Sequence, residues 1–112
     1  MTEVRLSETF EIIQRLVQEG EFRISEHGYD ELAADGLLAR EVVEGVRGAI
    51  LVEDYPDYPK GPCVLLLQRD RQGQPVHVVW GIPMGNTSPA VLVTAYRPDQ
   101  QRWEEGFLRR RP

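Results

Sequence analysis

Apolar residues recur at helical spacing before Gly48 and gather into short runs after it, which divides the chain into a helical first half and a strand-rich second half. Ser7 is a candidate N-cap for a helix over residues 8–19, where Phe10, Ile13, Leu16 and Val17 share a face and Gly20 stands where a C-cap glycine belongs. Phe22 to Ile24 reads as a short extended link. Ser25 can cap a second helix carrying His27, Tyr29, Leu32 and Ala33, which Asp35-Gly36 stops. Between Ala39 and Arg47, Val42, Val43 and Val46 line one side of a third helix closed by Gly48. Its interior Gly45 costs about 1 kcal/mol relative to Ala, a sign of close packing at that point.

Four strand candidates follow, at Ala49 to Tyr55, Pro62 to Arg69, Pro75 to Gly81 and Ala90 to Arg97. The turn Asp70-Arg71-Gln72-Gly73-Gln74 places Gly where a hairpin needs positive φ, and Pro83 to Pro89 forms a longer connection. Strands joined in this way pair antiparallel. The expected fold is therefore α+β: two to three N-terminal helices packed on one face of a four-stranded antiparallel meander sheet. Trp103, Phe107 and Leu108 at i, i+4, i+5 predict a short C-terminal docking helix before the Arg109-Arg110-Arg111 tail. A sheet covered on one face should alternate apolar and polar residues. Here Val64 to Leu67 and Val76, Val78, Val79 and Trp80 put apolar groups on both faces. The second face therefore needs a cover, whether the C-terminal segment, a second copy in a homodimer or another protein.

With 112 residues, 41% hydrophobic and 28% charged, the chain has the composition of a single globular domain over residues 1–112. The lone Cys63 allows no internal disulfide and reads as a small buried strand residue, which points to a reducing compartment. No basic-then-apolar leader opens the sequence, and its longest apolar run, Cys63 to Leu67, is far too short to span a bilayer. The expectation is a cytoplasmic protein with no membrane association. A net charge of −5 argues against a generic nucleic-acid binder, yet the charge is unevenly placed. Residues 1–59 hold 5 basic and 14 acidic side chains, whereas residues 60–112 hold 8 and 4. The sheet half is the basic half. That split fits a polyanion site on the sheet, an acidic face met by a basic partner, or simply a solvated acidic helical layer.

Four motifs occur in a fixed order: Ile24-Ser25-Glu26-His27, Glu53-Asp54-Tyr55-Pro56, Pro75-Val76-His77-Val78-Val79, and Thr94 to Asp99 followed by Trp103. Together they resemble the bacterial domain-of-unknown-function family numbered 4258, over about residues 22–103. The resemblance implies a compact α+β domain, often encoded beside a zinc-finger-type antitoxin, and similar to the small mRNA-cleaving toxins of type II toxin–antitoxin systems. Members commonly carry an Arg a few residues after the family His, about where this chain has Glu31 or Leu32.

Metal-independent RNA cleavage needs a base for the ribose 2′-hydroxyl, an acid for the leaving 5′-oxygen and a cation for the phosphorane. His27 is the natural acid or base, since an imidazole can hold either form at neutral pH. Its other reading, and the favoured one, is a residue at the start of a helix, i, i+4 from Glu31, that hydrogen-bonds backbone or carboxylate and fixes the helix entry. Tyr96 and Arg97 end the last strand, where toxins of the similar class commonly keep an acid and a phosphate ligand. Because neighbouring strand residues face opposite ways, only one of them can serve a given face unless the strand bends. Arg97 is favoured as the phosphate ligand, with a structural ion pair as its other reading. Lys60 and Arg69 can line an RNA groove, and Tyr55, Tyr58 and Trp103 can stack on unpaired bases or merely cap the core. His77 faces away from Val76, Val78 and Trp80, with Val79, and reads as a core or interface histidine. The two histidines form no zinc motif, and no glycine-rich phosphate loop or serine-hydrolase elbow occurs, so no metal or cofactor is implied. Three functions remain open: a toxin-like endoribonuclease acting on RNA or on the ribosome, a catalytically silent module that binds a partner or itself through the sheet, and small-ligand binding against the sheet.

Overall fold

The computed structural model describes residues 7–112. Ser7 caps helix α1 (Glu8–Gln18), its hydroxyl accepting the Phe10 N–H at 3.1 Å, and the helix buries Ile13 and Leu16. The expected link at Phe22–Ile24 is a strand, β1, followed by α2 (Glu26–Ala34), α3 (Ala39–Glu44) and a 3₁₀ turn at Gly45–Gly48. The rest of the sheet is β2 (Ile50–Tyr55), β3 (Cys63–Arg69), β4 (Pro75–Gly81) and β5 (Ala90–Tyr96).

The strand order is β1-β5-β4-β3-β2, with β1 parallel to β5 and the other pairs antiparallel. The α+β class stands, but the sheet is five-stranded and mixed rather than a four-stranded meander. Three residues carry no readable period, and the partner of β1 lies at the far end of the sequence, with Phe22 opposite Ala90 and Ile24 opposite Leu92.

The helices cover one face. Ile13, Leu16, Leu32, Val42 and Val46 pack there against Val64, Leu66, Val76, Val78, Trp80, Ala90 and Leu92. Two glycines set how closely the layers approach. A Cβ on Gly28 would stand 2.7 Å from the Leu92 carbonyl oxygen, and one on Gly45 would stand 2.6 Å from Gln68 Nε2. Gln68 uses that nitrogen to donate to the Val42 carbonyl at 2.7 Å, so the close packing expected at Gly45 serves a helix-to-sheet hydrogen bond.

On the opposite face Val52, Leu65, Leu67 and Trp103 form a second, smaller cluster joined by Val79 and Phe107. The C-terminal segment reaches it without the expected docking helix. Gly106 (φ +90°) and Phe107 (φ +61°) turn the chain back, and Trp103 bridges to Arg110 as in an antiparallel pair. Successive left-handed residues cannot continue a right-handed helix.

Two register shifts shape this face. In β2 the pairing jumps from Leu51 to Glu53 opposite β3, and in β5 from Leu92 to Thr94 opposite β4. Each extra residue resets the alternation of side chains. Val52 and Glu53 therefore both reach the helix-free side, and Tyr96 joins Val91 and Val93 there despite its odd spacing from them.

Candidate functional site

The C-terminal strap covers only part of the helix-free face and leaves beside it an open groove of about 600 Å³, within the range of ligand sites. Leu65, Val79, Gly81, Val91 and Val93 make its floor. Around it stand three cations, Arg23, Lys60 and Arg110, three tyrosines, Tyr55, Tyr58 and Tyr96, and a single carboxylate, Glu53. Gly61 allows the wall between β2 and β3 to close, because at φ +127° a Cβ would collide with the Ile82 carbonyl.

A polar chain runs from the groove into the strap. His77 is fully buried, and its Nε2 lies 2.8 Å from the Phe107 carbonyl oxygen while Nδ1 lies 3.2 Å from the Tyr96 hydroxyl. A carbonyl only accepts, so Nε2 carries the ring proton and Nδ1 accepts from Tyr96. Burial lowers the His77 pKa and holds the ring neutral, and burial raises that of Tyr96. Trp103 packs edge-on against the His77 ring at 4.4 Å, with the Arg110 guanidinium 4.7 Å over its face. Glu53 grips that guanidinium at 2.8 Å and 3.0 Å and also accepts from the Tyr55 hydroxyl at 2.8 Å. The Arg110 hydrogen bonds hold the Glu53 carboxyl below its usual pKa although burial opposes them. Burial, then Glu53, raises Tyr55, and burial also raises the Cys63 thiol at the groove's edge.

The residues singled out in the sequence fall into separate places. Tyr96, Tyr55, Tyr58 and Lys60 line the groove, and Trp103 lies buried beneath the strap. His27 sits at the start of α2 in the helical layer, its side chain 65% exposed and its Nε2 3.7 Å from Glu31 Oε1. Arg97 joins Asp70 at 2.9 Å, while its backbone N–H is bound by Asp35 at 2.8 Å, which ties the end of β5 to the hairpin and to α2. Arg69 donates to the Gly73 carbonyl within that same hairpin. The structure thus brings Tyr96, Tyr55 and Lys60 together and sets His27, Arg97 and Arg69 apart from them. Sequence reasoning missed Arg23, Glu53 and Arg110. Glu53 is signalled only by parity across the β2 bulge, Arg110 lies in a strap that reads locally as helix, and Arg23 lies in a three-residue strand with no readable period. Among the described residues no cluster of three or more His, Cys, Asp and Glu is placed to hold a metal ion.

The model of a domain of unknown function, DUF4258, matches residues 24–97. The chain belongs to that family. No curated protein and no solved structure matches it. The DUF4258 span runs from the end of β1 through β5, and its opening motif has a clear structural task. Ser25 donates from its N–H to the Leu92 carbonyl at 3.0 Å and from its hydroxyl to Val93 at 3.2 Å, and accepts the Gly28 N–H at 2.9 Å. One residue thereby caps α2 and fastens it beside the β5 bulge. The DUF4258 span includes Tyr96 and His77 but ends before the strap that brings Trp103, Phe107 and Arg110. No helix among the described residues is long and apolar enough to cross a membrane.

Proposed function

We propose that this DUF4258 protein binds single-stranded RNA in the groove and cleaves it without a metal, as a toxin-like messenger-RNA nuclease. One observation carries the reading: in a chain of net charge −5, the groove gathers three cations against one carboxylate around a tyrosine hydroxyl backed by a neutral histidine. Among the described residues the Arg23 and Lys60 side chains have no ionic or hydrogen-bond partner, so both are available to phosphates. Tyr55 and Tyr58 offer rings on which unpaired bases stack.

His77 Nδ1 accepts a hydrogen bond from the Tyr96 hydroxyl, which leaves a lone pair of Oη for a substrate proton. As the ribose 2′-oxygen bonds to phosphorus, its proton passes to Tyr96, whose own proton moves to His77 Nδ1. The phosphorus–5′-oxygen bond breaks, the leaving oxygen takes a proton from water at the open mouth, and the hydroxide so formed is neutralised by the proton that His77 returns through Tyr96. The products are a 2′,3′-cyclic phosphate and a 5′-hydroxyl. Tyr96 is the group that meets substrate, and His77 sets its protonation from behind.

The test is incubation of the purified protein with unstructured RNA in chelator, alone and on translating ribosomes. Expected are cyclic-phosphate ends and a loss of roughly 100-fold in Tyr96→Phe. No cutting by the wild type, or equal cutting by Tyr96→Phe, contradicts the reading.

A further inference from the structure

We infer that Arg110, supplied by the strap outside the DUF4258 span, is the phosphate ligand that stabilises the phosphorane, and that Glu53 is its positioning residue. This rests on the RNA-cleavage reading above. A cation that lowers a barrier must already be aimed at the developing charge, because reorienting it during reaction costs what it would gain. Lys60 and Arg23 have no partner among the described residues to fix their side chains and can hold a strand only loosely. Arg110 is fixed on two sides. Glu53 takes Nε and Nη2 at 2.8 Å and 3.0 Å, and the Trp103 ring lies 4.7 Å beneath the guanidinium.

The second Glu53 contact, from the Tyr55 hydroxyl, fixes the carboxylate in turn. The side chain of Arg110 remains 61% exposed and lines the groove. A guanidinium has five N–H groups, and Glu53 uses one on Nε and one on Nη2. Nη1 has no partner among the described residues, so the Nη1–Nη2 edge remains as a fork for two phosphate oxygens. Trp103 also packs on His77, so one ring braces both the cation and the Tyr96–His77 pair.

Arg97 lacks this freedom, since its Nη2 is engaged by Asp70 and its Nη1 by the Pro75 carbonyl. Because Glu53 neutralises Arg110, the pair attracts a singly charged phosphodiester weakly and the more highly charged phosphorane more strongly. Its effect falls on rate rather than on binding.

The experiment compares wild type, R110K and E53Q, with the NMR amide signals of Trp103 and Phe107 confirming that the strap stays docked. Each is assayed for single-turnover cleavage of an unstructured oligoribonucleotide and for the Kd of the uncleavable all-deoxy counterpart. R110K keeps the charge but not the fork, and is expected to cut about 100-fold more slowly with Kd changed less than about 3-fold. E53Q leaves Arg110 intact but loosens it, with an expected loss of about 10-fold in rate and Kd unchanged or tighter. Cleavage by R110K within about 3-fold of wild type, or equal losses in rate and affinity, would overturn the inference while leaving RNA cleavage standing. A wild type that does not cut defeats both.

Discussion

The two faces of the sheet are covered in different ways. Under the helices nearly every inward side chain is apolar and buried, from Ile13 and Leu66 to Trp80 and Leu92. Under the strap a much smaller cluster around Trp103 gives way to a groove in which tyrosines, arginines, Lys60 and Glu53 meet. The first arrangement stabilises the fold through removal of apolar area from water. The second leaves part of its apolar floor, Val93 above all, open to the groove and keeps the buried His77 neutral beneath the strap. The lesson is that stability and candidate chemistry divide by face, with the strands shared between them.

The sharpest way to break this division is to delete a tryptophan from each face. Trp80→Ala should cost about 4 kcal/mol, whereas Trp103→Ala should cost about 2–3 kcal/mol because the strap can settle over the void. Denaturant unfolding measures both, and a larger loss at Trp103 would refute the assignment of the main core. Next in size, Gly81→Leu adds bulk to the groove floor, where a Cβ meets Cys63 Cβ at 3.4 Å, an ordinary contact. RNA affinity should fall about 10-fold for a stability cost near 1 kcal/mol. Unchanged affinity would place the ligand elsewhere.

The pH dependence of stability should also belong to the strap face. Burial lowers the folded pKa of His77 from 6.5, so the unfolded chain takes up a proton there that the folded chain refuses. Stability is therefore whole above about pH 6.5 and declines as the pH falls below it. The contribution of Glu53, whose folded pKa lies below 4.5 chiefly through Arg110, is present above that value and is lost as pH falls through the folded pKa. His77→Gln should flatten the upper part of the decline in a series of melting curves. The smallest effect is expected at His27→Ala on the helical layer: less than about 0.5 kcal/mol in stability and less than about 2-fold in cleavage, since the side chain is exposed.

Long periodic elements were readable from the chain. The caps at Ser7 and Ser25, the packing role of Gly45 and the bounds of β4 all follow from local chemistry, and the structure bears them out. β1 was not readable as a strand, since its partner is remote and its length gives no period. The site was legible only in part. Tyr96, Tyr55 and Lys60 meet, yet strict alternation along β2 and β5 fails at the two bulges that turn Glu53 and Tyr96 toward one groove. Arg110 was hidden because Trp103, Phe107 and Leu108 read as one face of a helix, whereas Gly106 and Phe107 reverse the chain.

The central claim, that the helix-free groove and not the helical layer receives RNA, is tested most directly by NMR titration of the labelled protein with an unstructured all-deoxy oligonucleotide. The account predicts shifts concentrated at the amides of Tyr55, Cys63, Val79, Gly81, Val91 and Val93, with those of His27, Tyr29 and Asp30 unmoved. Shifts centred on α2 with the groove silent would contradict it.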